Sequence, residues 1–171
     1  DDFYKIYSHN MRDLGTPPYP KNFIKKQMES FPKYTEILSV KYREKVIASM
    51  YIFKYKNIFS DPLASSLRKY NYLRSNNLLY WHAIKKACEE GYQFFDMGRS
   101  TVNSGTYNFK KQWGAKPVPL YYQYFLSRSD KVPAVNAIDN KYQIAINIWQ
   151  KIPLIISNII GPKIVKYLPE L

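Results

Sequence analysis

The chain has 171 residues, 46% hydrophobic and 17% aromatic, with 26 Lys and Arg against 13 Asp and Glu for a net charge of +13. That length provides one ordinary domain with a real core, and an aromatic content that includes 17 tyrosines excludes a disordered chain. A single cysteine, Cys88, excludes an internal disulfide framework and a cysteine-built zinc site, and fits a reducing compartment.

The basic surplus attracts polyanions such as nucleic acid, anionic lipid or nucleotide phosphates. The lysines are scattered, however, with no run of about five like charges, so plain solubility accounts for them equally well. The first residue is Asp1 rather than Met, in a stretch that already reads as helix, so a fragment or a processed chain is expected. No signal peptide is visible and no run of about 18 apolar residues suggests a membrane span, so the expected place is the cytoplasm.

In chain order, residues 2–12 read as a helix, with Phe3, Tyr7 and Met11 on one face. Leu14-Gly15-Thr16-Pro17-Pro18 breaks it. Pro20 opens a second helix in its first turn; Phe23, Ile24, Gln27, Met28 and Phe31 follow at helical spacing until Pro32. Residues 36–42 and 45–55 are β-rich and form a hairpin across Arg43-Glu44. Lys56-Asn57 turns into a third strand, 58–60, which Asp61-Pro62 stops. Residues 63–74 then read as a loop rich in Arg, Tyr and Asn, a composition that suits function better than spacing.

Asn77 is the expected N-cap of the clearest helix, with Tyr80, Ile84, Ala87 and Cys88 on its inner face and Gly91 as its stop. A short strand at 92–97, a loop at 98–105, a short helix at 106–113 and an aromatic strand at 119–128 follow. After a linker, 129–135, Asp139 caps a tail helix in which Tyr142, Ala145, Ile146 and Trp149 share a face; Pro153 and Gly161-Pro162 cut the remainder into short apolar turns. The expected class is α+β: a mixed, mostly antiparallel sheet flanked by helices, with an extra C-terminal helical tail. Residues 1–128 form the domain, and 129–171 form a linker and a helical extension packed on it.

No P-loop, dinucleotide fingerprint, zinc helix or nucleophile elbow is present. His9 and His82 fall on helices and read as surface or capping residues. Chemistry concentrates at FFDMGRS and SGTYNFKKQWG. Asp96 stands at a strand end, followed by Gly98, Arg99 and Ser100 on a loop, the kind of place where ligands bind. The helix start at Gly105 and Thr106 offers backbone N–H groups to an anion, with Arg99 and Lys110 adding charge and Tyr107 a hydroxyl. Asp96 could equally pair with Arg99, and Ser100 could be a turn residue.

The stretches ASSLRKYN, LLYW, FDMGRST and SGTYNFKKQWGA, with the opening NMRDLGTPPYP, resemble FemAB-related proteins of the GNAT N-acyltransferase superfamily, in the branch associated with exosortase and exopolysaccharide systems. The resemblance extends from about Phe3 to Pro169. It implies a GNAT-like fold, a second GNAT-like half as partner, and transfer of an acyl or aminoacyl group to an amine of a cell-envelope or polysaccharide precursor. The donor it implies is acyl-CoA or aminoacyl-tRNA, without a metal. In Tyr107-Asn108-Phe109-Lys110, Lys110 takes the place of a cleft lysine that would steady an oxyanion or the donor phosphate. Asp96 or Tyr107 would accept a proton, and Arg68 and Tyr70 would read an anionic acceptor.

The chain departs from acetyl-CoA-using GNAT enzymes in one respect. The Gln/Arg-x-x-Gly-x-Gly/Ala loop that holds pyrophosphate is absent; Leu73-Arg74-Ser75-Asn76-Asn77 has no glycine. A competing reading is therefore a non-catalytic recognition half that binds a sugar, peptide or tRNA. A further one rests on the apolar, lysine-bearing segment 140–171, which could contact the inner face of a membrane.

Overall fold

The computed structural model describes residues 1–123, 125 and 140–167. Thr35–Tyr42 (β1) and Lys45–Tyr55 (β2) close into the expected hairpin. Arg43 and Glu44 both sit at positive φ (46° and 61°), the backbone twist that a two-residue hairpin loop requires. Lys56 (φ 52°) turns the chain into Ile58–Ser66 (β3), antiparallel to β2, and Phe94–Asp96 (β4) adds in parallel to β3. The sheet order is β1-β2-β3-β4.

Alternation along β2 divides the core between the two faces of the sheet. Ala48, Met50 and Ile52 face a long helix, Ser75–Glu89 (α3), where they meet Leu79, Tyr80, Ala83 and Ala87. Tyr51 and Phe53 face the opposite way, toward Phe3 and Tyr7 of Asp2–Leu14 (α1) and Ile24 of Lys21–Ser30 (α2). A short helix, Gly105–Gln112 (α4), joins the α3 side through Phe109, with Trp113 just beyond it.

Six local expectations are corrected. The third strand does not stop at Asp61-Pro62; it continues to Ser66, and only 68–73 form a 3-10 turn. The strand survives proline because Asp61 and Pro62 form a bulge: Tyr51 pairs with Leu63 and Phe53 with Ser60, so Ile52 alone opposes two residues. α3 begins two residues before Asn77, with Arg74 as N-cap in the left-handed region (φ 54°), because the 3-10 turn before it already delivers the chain at that angle. Cys88 is exposed rather than on the packed face. Residues 119–123 form no strand, although their composition favours one, and the rest of that expected strand, like Asp139 and the linker, falls outside the described residues apart from Phe125.

Pro20 caps α2 from outside rather than filling its first turn. Asn140–Lys151 (α5) and Leu154–Ile164 (α6) are separated at Pro153 as expected, but Gly161-Pro162 lies inside α6. Both helices pack on α1: Gln150 Nε2 donates to Asp13 O at 3.1 Å, and Ile146 lies against Gly15. Gly161 meets the turn after α1 so closely that a Cβ on it would stand 2.6 Å from Pro18 Cδ.

That contact makes a stability prediction. Gly161→Ala should cost about 1–3 kcal/mol by overpacking against a rigid proline ring. Gly105→Ala, at a site with nothing within 4 Å of the new methyl, should leave stability unchanged or raise it. Urea midpoints of the two variants decide; equal midpoints would mean that α6 does not seat on Pro18.

Candidate active site

The site begins with a separation of strands. β3 and β4 pair only at Ile58–Phe94, Phe59–Phe95 and Ser60–Asp96. Beyond Ser60 the bulge bends β3, and residues 61–66 have no strand partner on that edge among the described residues. Leu67 N–H points to Ile47 O of β2 at 2.9 Å, so by alternation the amides of Ala64 and Ser66 point to the open edge.

The bulge also resets which way the side chains face. Phe59 and Ala64 both enter the α3-side core, an odd separation that a regular strand does not permit. Asp61, two residues after Phe59, faces that core by ordinary alternation and is 4% exposed. Its Oδ2 accepts from the Tyr80 hydroxyl at 2.5 Å, while its buried Oδ1 has no protein partner among the described residues. Burial pushes the Asp61 carboxyl up to about 7; the Tyr80 hydroxyl and the Lys110 charge pull it back, and Asp96 pushes it further up. Tyr80 is held above its ordinary value, first by burial and then by the Asp61 charge.

Tyr80 also anchors α4. Its ring lies 5.2 Å from that of Phe109 in an edge contact and 6.4 Å from Trp113. With Phe109 fixed inward, the next residue, Lys110, reaches the loop after β4, where its Nζ donates to Gly98 O at 3.0 Å and Arg99 O at 2.8 Å. Burial lowers the Lys110 pKa, and Asp61 and Asp96 oppose that shift. The loop is closed from the other side as well. Asp96 Oδ1 accepts from Gly98 N–H at 2.8 Å, and Gly98 takes φ 66°, a conformation that glycine adopts without strain.

The structure therefore brings Asp96, Lys110 and the Gly98-Arg99 backbone together at the point where the strands part. Of the remaining expected residues, Ser100, Gly105, Thr106 and Tyr107 follow on the loop and α4, whereas Arg68 and Tyr70 lie at the other end of β3. Ser100 Oγ donates to Arg99 O, and Arg99 reaches Tyr122 at 3.1 Å. Gly105 and Thr106 open α4, whose N-cap Ser104 takes the amide of Tyr107, while the Tyr107 ring lies under Lys111. Arg68 is exposed and the Tyr70 ring lies tilted 6.3 Å from that of Tyr42, both residues in the turn between the open edge of β3 and α3. Asp61 is the residue that sequence reasoning missed. Its signal was an Asp-Pro pair with strand-forming residues on both sides.

A mixed sheet that opens where β3 and β4 part, with α3 crossing over between them, frames this site. Residues 1–111 match the family described as Acetyltransferase (GNAT) domain, and the chain belongs to that family. No curated protein matches the sequence. Among solved structures, an aminoglycoside acetyltransferase from an uncultured soil metagenomic sample, in complex with trehalose, aligns with TM-score 0.57 at 8% identity over 74% of this chain and 87% of its own. A Pyrococcus furiosus protein proposed to be an acetyl transferase aligns with TM-score 0.54 at 12% identity over 74% and 95%. A transcriptional regulator from Bacillus halodurans C-125 aligns with TM-score 0.52 at 14% identity over 63% and 77%. At such identities the likeness is one of fold.

Asp61 makes stability depend on pH. Because its folded pKa is raised from 3.8 to about 7, its neutral form is preferred in the folded state. Stability is thus highest in this respect below the ordinary carboxyl range and falls as pH rises toward 7. Asp61→Asn keeps an oxygen for Tyr80 and should abolish that loss. Urea midpoints at about pH 5 and about pH 8.5 check it; an equal decline in both proteins would show that Asp61 is not held neutral.

Proposed function

We propose that this domain is an N-acyltransferase that carries an acyl group from acyl-CoA to a primary amine, with Asp61 as the proton acceptor. The observation that carries the reading is Asp61 itself: a buried carboxyl with one oxygen unpartnered among the described residues, at the point where the strands part, with its pKa pushed up to about 7. A base matched to neutral pH is efficient because it is available unprotonated and still takes a proton readily.

The neutral amine attacks the thioester carbonyl, so that a C–N bond forms and the C–S bond breaks. The nitrogen's proton passes to Asp61, through a water because the side chain is buried, and the departing thiolate takes a proton from solvent. The open-edge amides of Ala64 and Ser66 suit the amide groups of an extended donor arm. Arg68, Lys69 and Arg74, in the turn leading to α3, would hold its phosphates, doing with side chains what a glycine-rich loop does with backbone. Lys110 keeps the Gly98-Arg99 loop against the site and places positive charge beside a developing oxyanion.

The family supports acyl-CoA as donor. The likeness of ASSLRKYN and SGTYNFKKQWGA to FemAB-related proteins supports an acceptor amine on a cytoplasmic cell-envelope or polysaccharide precursor, and a second GNAT-like half as partner; it keeps aminoacyl-tRNA as the other donor to assay. The missing glycine loop favours the second reading, a recognition half without catalysis.

Thiol release from acetyl-CoA in the presence of a panel of amines separates the two. Transfer should appear, with kcat/KM rising through a midpoint near pH 7 as Asp61 ionises. Asp61→Asn should lower kcat by about 10²–10⁴-fold with donor binding retained. Donor binding without turnover by any amine would favour the recognition half, and an Asp61→Asn enzyme of full activity would remove Asp61 from the mechanism.

A further inference from the structure

α5 and α6 lie beyond the residues that match the GNAT family, and each shows two different sides. One side packs on α1 and the turn after it, through Ile146, Gln150 and Gly161. The other carries Ile144 and Ile148 on α5 and Ile155, Ile156 and Ile159 on α6, all between 45% and 75% exposed. Their spacing of four residues aligns each set along its helix. Five large aliphatic side chains facing solvent on two adjoining helices exceed the scattered exposure normal for a folded domain.

The charge around them has one sign. Residues 140–167 contain four lysines and no Asp or Glu. Lys151 shares the face of Ile144 and Ile148 by helical spacing, Lys163 shares that of Ile155, Ile156 and Ile159, and both are exposed. Lys166 follows, with its Nζ 4.7 Å from the ring of the exposed Tyr167, an aromatic with an apolar body and a polar tip. The helices have 12 and 11 residues, about 18 Å and 16 Å of rise, against a hydrocarbon core of about 30 Å. No helix among the described residues is long and apolar enough to cross a membrane. Such a pair can lie on a bilayer but not span it.

We propose that the outer face of α5 and α6 docks this domain on an anionic lipid surface, with the isoleucines entering the headgroup–acyl boundary and the lysines meeting lipid phosphates. Exposed aliphatics serve any apolar partner; basic residues without a single acid select an anionic one. Because this face lies across the sheet from Asp61 and Tyr80, docking leaves the parted strands accessible and is separable from catalysis.

The test is co-sedimentation of the full chain with vesicles of phosphatidylcholine alone and of phosphatidylcholine with phosphatidylglycerol in equal parts. Binding should appear on the anionic vesicles only and fall at high salt. The surface variants Ile148→Ser/Ile155→Ser/Ile159→Ser and Lys151→Glu/Lys163→Glu should each weaken it at least about tenfold, with the pH-dependent stability due to Asp61 unchanged. No binding to anionic vesicles at low salt, or equal binding by the isoleucine variant, would overturn the proposal. So would a dimer in solution that the isoleucine variant converts to monomer, which would assign the face to a second copy.

Discussion

One extra residue in β3 organises the domain. Ile52 faces both Asp61 and Pro62, and the opening of the sheet and the facing of the later residues of β3 follow from that mismatch. The bulge bends β3 away from β4 after three paired residues, which opens the sheet. It switches the facing of every later residue on the strand, so that Leu63 serves the α1 side and Ala64 the α3 side. The acid at its start, Asp61, faces the apolar core two positions after Phe59. Proline suits the position because the unpaired edge asks for no amide hydrogen bond from it.

An acid so buried needs compensation, and the surrounding aromatics provide it in a particular way. Tyr80 donates to Asp61 while its ring receives Phe95, Phe109 and Trp113. The same side chain therefore satisfies one carboxyl oxygen and seats α4. Seating α4 brings Lys110 over the loop that closes the site. The half-buried lysine and the buried acid oppose each other's shifts: each charge eases the desolvation of the other without making an ion pair. The result is a polar group that is stable when assembled and costly to assemble in part, a property expected of a site whose members must be placed together.

Much of the scaffold could be read from the sequence because it rests on local signals. The 3.6-residue period of Phe3, Tyr7 and Met11 and the hairpin of β1 and β2 needed no tertiary information. That Lys110 and Asp96 meet at the loop after β4 could be anticipated because each stands beside an element end, where side chains leave the core. Asp61 could not be read in this way. Asp-Pro is an ordinary strand stop, and only the partner strand, with Ile52 opposite, turns it into a bulge. Leu120, Tyr121 and Tyr122 misled in the opposite sense: strand propensity measures the fit to a neighbouring surface, and residues 119–123 have no strand partner among the described residues. Tyr70 and Arg68, read as acceptor contacts, lie on the turn from the open edge of β3 into α3.

The proposed chemistry turns on the protonation of one carboxyl, and the most direct measurement is a carbon-13 NMR titration of the Asp61 side chain in the intact protein. A midpoint near pH 7 is the predicted result, with a parallel displacement when Lys110 is replaced by methionine and its charge no longer favours ionisation. A midpoint in the ordinary range near 3.8 would contradict the account, since Asp61 would then be a solvated carboxylate and not a base held in reserve by burial.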